Sequence, residues 1–126
     1  MKLLIKQIKK KKINVVNDQF GCPTYAKDLA QASLKILESN NKLNLYGKIY
    51  NYSNLGSTSW SQFALEIINV LNLDCKINEI STTFFNSNVK RPKFSITNKK
   101  NILKDFDLVI PHWKHSLKTY LTTFKK

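Results

Sequence analysis

The sequence is poor in glycine, cysteine and arginine, and each shortage closes off a class of chemistry. Only Gly21, Gly47 and Gly56 occur in 126 residues. Neither GxGxxG nor a GxxxxGK followed by Ser or Thr can be written from them, so no glycine-rich loop is available to cradle a phosphate. A GxSxG nucleophile elbow and a CxxC pair are absent as well. Two cysteines, Cys22 and Cys75, are too few for a disulfide framework. None of the five tyrosines has a lysine four residues on, which removes an acid tyrosine with a pKa-lowering lysine one helical turn away. No apolar run approaches the ~20 residues that span a bilayer. The opening Met1-Lys2-Leu3-Leu4-Ile5-Lys6 also lacks the uninterrupted apolar stretch of a signal peptide. These absences predict a cytoplasmic, reduced chain without a membrane partner.

What is abundant is lysine. The 21 basic residues against 8 acidic ones give a formal charge of +13, but 20 of the 21 are lysine and only Arg91 is arginine. Asparagine is also frequent, with 14 residues. A Lys- and Asn-heavy, Arg-poor composition matches the coding bias of an AT-rich genome, which raises charge without selecting a partner. Readers of nucleic acid rely on the bidentate arginine fork and on aromatics along a basic groove. Neither is present, so no nucleic-acid partner is expected. The run Lys9-Lys10-Lys11-Lys12 reads as the solvated end of a helix. With 42% hydrophobic and 11% aromatic residues, the chain can bury a core as one domain over 1–126.

Hydrophobic spacing predicts alternating helices and short strands, an α/β pattern. A helix is expected over 2–12 with Leu4, Ile5 and Ile8 on one side, and a strand at Ile13–Val16. A Gly- and Pro-containing loop follows, with Thr24 as the N-cap of a helix over 25–39. That helix carries Ala26, Leu29, Ala30, Ser33 and Leu37 at helical spacing. A strand at 48–52 leads into a turn at 53–58. Ser59 and Gln62 then form a capping box for a helix over 60–72. A strand at 76–80 precedes an irregular stretch in which Phe84 and Phe85 are the expected core anchors. An extended piece at 94–96 leads to Thr97, the expected cap of a helix over 98–104, and Pro111 opens a last helix. Strands this few and short make a small sheet, or pieces of a sheet belonging to something larger.

The candidates for chemistry are few. His112 and His115 lie three apart without a Cys or carboxylate at metal spacing, which favours solvated or capping roles. Cys22 has no histidine near it in sequence, and Trp60 reads as a helix core anchor. Arg91-Pro92 is more informative. Proline restricts the preceding residue to extended backbone, which aims a permanently charged planar fork suited to a diphosphate or to a structural ion pair.

Four ordered blocks carry a resemblance. Val15-Val16-Asn17-Asp18-Gln19-Phe20-Gly21-Cys22-Pro23-Thr24-Tyr25-Ala26-Lys27-Asp28-Leu29-Ala30 is the first. Ile49-Tyr50-Asn51-Tyr52-Ser53-Asn54, with Gly56, Ser59-Trp60 and Phe63-Ala64, is the second. Arg91-Pro92 with Ser95, and Pro111-x-Trp113 with Ser116-Leu117, complete the set. In this order they strongly resemble the dTDP-4-dehydrorhamnose reductases, which are extended short-chain dehydrogenases. Where that family usually has proline before its Arg-Pro, this chain has Phe85-Asn86-Ser87-Asn88-Val89, and Lys48 stands where the family often has glycine.

The resemblance implies the C-terminal portion of a Rossmann-type α/β reductase, without the N-terminal NADPH-binding half. The family enzyme reduces dTDP-4-dehydro-L-rhamnose to dTDP-L-rhamnose with NADPH. The glycine-rich loop and Tyr-x-x-x-Lys missing above belong to the half that is not represented. By position, Gln19, Pro23 and Thr24 are expected on the loop facing a dTDP-sugar, with Arg91 near its diphosphate. No catalytic, cofactor-binding or metal residue is expected in this portion. A separately encoded Rossmann half or self-association is the expected partner. The regulatory β subunit of methionine adenosyltransferase resembles the same family without being a reductase, so a non-catalytic module or a degraded gene remnant is the alternative.

Overall fold

A computed structural model describes residues 11–39, 47–84 and 89–123. Two strands form its centre. β1 (Lys12–Val16) and β4 (Lys76–Ile80) run parallel with Ile13 opposite Ile77 and Val16 opposite Ile80. Their β-branched residues suit a pleated surface packed against helices. Two helices pack with them: α2 (Trp60–Leu71) and α4 (Trp113–Thr122). The core that results joins Ile13 and Cys75 to Phe63, Ile67 and Ile68 of α2 and to Trp113, Leu117 and Leu121 of α4.

α2 has both ends specified by sequence. The Ser59 hydroxyl accepts the Gln62 amide hydrogen at 3.2 Å. The reciprocal half of the expected box is not made, because the Gln62 side chain donates instead to Glu79 at 3.5 Å. At the other end Asn72 adopts φ 52°, which lets the Leu73 amide turn back to the Ile68 carbonyl at 3.1 Å. Asparagine tolerates this left-handed geometry better than most residues, and the bond satisfies a carbonyl the helix would otherwise leave bare.

A second, three-stranded patch has the order β3-β2-β5. β2 (Phe20–Gly21) pairs antiparallel with β3 (Thr58–Ser59) and parallel with β5 (Phe94–Ser95). The Phe20 and Phe94 rings stack at 5.5 Å across it. α1 (Ala26–Ser39) and α3 (Lys100–Asp105) complete the described elements. A smaller cluster of Ile102, Phe106 and Ile110 takes in Ile36 of α1 together with Tyr50 and Tyr52.

Several expectations are corrected. Residues 2–10 of the first helix, with Leu4, Ile5 and Ile8, lie outside the described residues, and Lys12 belongs to β1 rather than to a helix. Thr24 does not cap α1; its hydroxyl donates to the Cys22 carbonyl at 3.1 Å, and the helix begins at Ala26. Segment 48–52 is extended but pairs with no described strand. Phe84 is exposed rather than an anchor, while Phe85 lies outside the described residues.

Nor does Thr97 cap α3. Its hydroxyl meets that of Ser53 at 2.8 Å, and the Asn98 side chain accepts the Lys100 amide hydrogen instead. Pro111 precedes α4 by two residues, and His112 caps it through Nδ1, which accepts from the Lys114 amide at 3.3 Å. Trp60 is half exposed, with its ring set edge-on to that of Phe63.

Candidate functional site

Parallel strands open a crevice beyond their carboxyl ends, where open α/β sheets hold their ligands. β1 and β4 end together at Val16 and Ile80, and the chains that leave them are bonded to one another. The Asn17 amide donates to the Ile80 carbonyl at 3.0 Å. Asp18 accepts the Thr82 amide at 3.0 and 3.1 Å and the Thr82 hydroxyl at 2.6 Å. The same hydroxyl oxygen accepts from Gln19 Nε2 at 3.0 Å, so a side-chain relay runs Gln19 to Thr82 to Asp18. The Thr82 hydroxyl and then its amide hold the Asp18 carboxyl below the usual carboxylate range, with Lys93 adding a weaker pull.

Gln19 is therefore buried and engaged within the protein. Directly after it, Phe20 donates its amide to the Lys93 carbonyl at 2.7 Å, which fixes the segment carrying Arg91 to the same loop. Arg91 itself is exposed. Pro23 and Thr24 turn to a different place. They line an apolar cleft of about 240 Å³ with Tyr25, Phe63, Trp113, Leu117 and Tyr120. The structure thus groups Gln19 with the Arg91 segment at the strand ends, and sets Pro23 and Thr24 at the mouth of the neighbouring cleft.

The loop is anchored from behind by a polar hub that sequence reasoning took for an ordinary turn. Asn54 is wholly buried. Its carbonyl oxygen accepts the Tyr25 amide at 2.8 Å. Its amide nitrogen lies 2.7 Å from Asp28, 2.9 Å from Ser116 and 3.1 Å from the Pro111 carbonyl. One side chain thereby joins the start of α1, the 53–56 turn and the start of α4. Gly56 makes the close approach possible. It has φ +81°, and a Cβ there would lie 2.3 Å from His112 Nε2. Nothing in residue spacing marks Asn54, Asp28 and Ser116 as a group.

The family model of the RmlD substrate binding domain matches residues 1–126. This chain belongs to that family. Among proteins similar to it is the spore coat polysaccharide biosynthesis protein SpsK of Bacillus subtilis, 33% identical over 112 residues that make up 89% of this chain and 37% of SpsK. A solved dTDP-4-dehydrorhamnose reductase from Clostridium acetobutylicum superposes with a TM-score of 0.87 at 32% identity, covering 99% of this chain and 43% of its own. The reductase of Bacillus anthracis, solved in complex with NADP, gives a TM-score of 0.84 at 32% identity over 97% of this chain and 42% of its own. The chain spans about 40% of the length of the relatives it matches.

The RmlD substrate binding domain thus accounts for the α/β architecture and for the order of the four sequence blocks. A dinucleotide needs successive glycines that let backbone approach its pyrophosphate. Here Gly56 is packed against His112 and Trp113, Gly47 faces open space, and Gly21 sits within β2. The three glycines therefore form no loop of that kind. Among the described residues no helix is long and apolar enough to cross a membrane, and no cluster of metal-ligating side chains occurs.

Proposed function

We propose that this chain is the dTDP-sugar-binding portion of a dTDP-4-dehydrorhamnose reductase, folded as one domain over 1–126. The observation that carries the reading is the match of the RmlD substrate binding domain along all 126 residues, reinforced by reductases that superpose on nearly the whole chain. In this reading the nucleotide lies beyond the carboxyl ends of β1 and β4. Arg91 holds its diphosphate through the guanidinium fork, for which arginine is better shaped than lysine. Gln19 acts by fixing the loop through Thr82 rather than by touching the sugar. Pro23 and Thr24 form the rim on the side of the apolar cleft.

The intact reductase would transfer hydride from NADPH to the 4-keto carbon of dTDP-4-dehydro-L-rhamnose. This chain would supply nucleotide binding that orients the sugar for transfer. Calorimetry and thermal unfolding with dTDP, dTDP-rhamnose and NADPH test it. Saturable binding and a raised Tm with the two dTDP ligands, and neither with NADPH, are expected. No response to either dTDP ligand would remove the reading.

A further inference from the structure

Phe94 is 67% exposed, yet its ring is held in place. It stacks on Phe20 with the centroids 5.5 Å apart and the two planes inclined by only 17°. Backbone sets the direction of both rings. Phe20 and Phe94 stand opposite each other in the parallel pairing of β2 with β5, and residues opposed across paired strands point to one face. The Phe20 amide also donates to the Lys93 carbonyl at 2.7 Å. On its other side β2 is held by β3, where Phe20 meets Ser59. Phe20 thus covers one face of the Phe94 ring and leaves the other open.

An exposed phenylalanine on its own is ordinary. This one is already stacked and fixed, so a further flat group can join the stack without ordering the ring first. It also lies three residues from Arg91, which is exposed and makes no ion pair among the described residues. Three residues of chain reach at most about 10 Å. A flat apolar surface and a planar cation therefore stand one nucleotide's length apart on a single segment. Phe20 directly follows Gln19 in the loop that leaves β1, which sets the stack beside the carboxyl ends of the parallel strands. A flat ring at one end and a diphosphate at the other is the shape of a nucleoside diphosphate.

We infer that Phe94, backed by Phe20, is the platform on which the base of the bound nucleotide stacks, with Arg91 holding the diphosphate at the other end. The inference rests on the dTDP-sugar reading and adds to it the residue that takes the base. Every base presents a π face, so the platform raises affinity for a base without choosing which one. UDP rests on it as dTDP does. Inorganic pyrophosphate has no base and gains nothing from it.

The test is titration calorimetry at physiological ionic strength with dTDP, UDP and inorganic pyrophosphate, on the unaltered chain and on Phe94→Ala and Phe94→Trp. Both nucleotides are expected to bind the unaltered chain at least about tenfold more tightly than pyrophosphate. Phe94→Ala is expected to weaken both nucleotides about tenfold while leaving pyrophosphate affinity and the far-UV spectrum unchanged. Phe94→Trp restores a broad ring. It is expected to bind both nucleotides at least as tightly as the unaltered chain, and to add a fluorescence that dTDP quenches and pyrophosphate does not. Three results would each overturn the platform and leave the substrate reading standing: dTDP binding that Phe94→Ala does not alter, an equal loss for dTDP and pyrophosphate, or a Phe94→Trp signal that dTDP leaves untouched. An unaltered chain that binds no dTDP would remove the substrate reading itself, and the platform with it.

Discussion

Thr82 closes on Asp18 from across 64 positions of sequence, giving its carboxylate both an amide and a hydroxyl hydrogen. This relationship ties together the two chains that leave the parallel strands, and it makes the loop shape depend on a charge. Hydrogen bonds to an ionised acceptor are shorter and stronger than neutral ones, and the 2.6 Å contact fits that class.

A pH dependence follows. The folded-state pKa of Asp18 is depressed, so the clamp contributes fully above the ordinary carboxylate pKa of about 4 and is lost as pH falls through the lower folded value. Asp105, depressed by Tyr50 and then by Lys48, acts in the same direction and the same window. The Tm of the protein is expected to fall from about pH 4 downward. Asp18→Asn should flatten part of that fall while leaving the part due to Asp105. An Asp18→Asn variant with an unchanged Tm profile would remove the clamp from the account.

Asn54 should be among the least replaceable residues. Asn54→Ala strips partners from the Tyr25 amide, Asp28, Ser116 and the Pro111 carbonyl at once. The Tyr25 amide is left unpaired, while Asp28 and Ser116 keep their mutual bond and the Pro111 carbonyl keeps the Leu55 amide. An unpaired buried group costs about 1–3 kcal/mol, and with three further bonds lost a total of about 3 kcal/mol is expected. Urea unfolding should show a lower midpoint with an unchanged slope.

Two glycines with similar backbone angles should respond differently to alanine. Gly47→Ala places a methyl group in open space at φ +71°, so only the left-handed backbone penalty of about 1 kcal/mol applies. Gly56→Ala adds a collision with the His112 ring and the Trp113 edge. It should be the more destabilising of the two by at least about 1–2 kcal/mol, the typical cost of forcing atoms into a packed site. Parallel thermal melts of the two variants decide this.

Arg91→Lys keeps the charge and removes the fork. If Arg91 holds a diphosphate, the variant should bind dTDP about tenfold more weakly, equivalent to about 1.4 kcal/mol. Titration calorimetry reads the change directly, and unaltered affinity would place Arg91 outside the site.

The legible parts of this fold were those written locally. Ser59 announces α2 because an N-cap acts within three residues, and strand 76–80 is visible from its own β-branched pattern. The partners of strands were not legible. Nothing in the spacing of Lys12–Val16 says that it pairs parallel with Lys76–Ile80, so the juxtaposition of Asp18 with Thr82 could not be foreseen. Thr24 and Thr97 failed as caps for one reason. Each hydroxyl found a partner, the Cys22 carbonyl and Ser53, outside the helix that followed it. Of the site candidates, Gln19 lies on the loop that follows β1, and its buried contact with Thr82 belongs to tertiary structure.

The parallel pairing of β1 with β4 also sets the order in which the molecule can assemble. Every strand partner in the described residues is distant in sequence, whether β4 for β1 or β3 and β5 for β2. The ends of a loop of some 60 residues must meet before any ladder bond repays the lost chain entropy, which makes such pairings slow to form. On the ribosome, β1 and the Asp18 loop wait unpaired until residues 76–82 have been synthesised. α1 and α2, which precede β4 and have local bonds, can form earlier. The Asp18 loop therefore takes shape after α1 and α2, and a nascent protein stalled before Ile80 would have those two helices but neither the crevice nor α3 and α4.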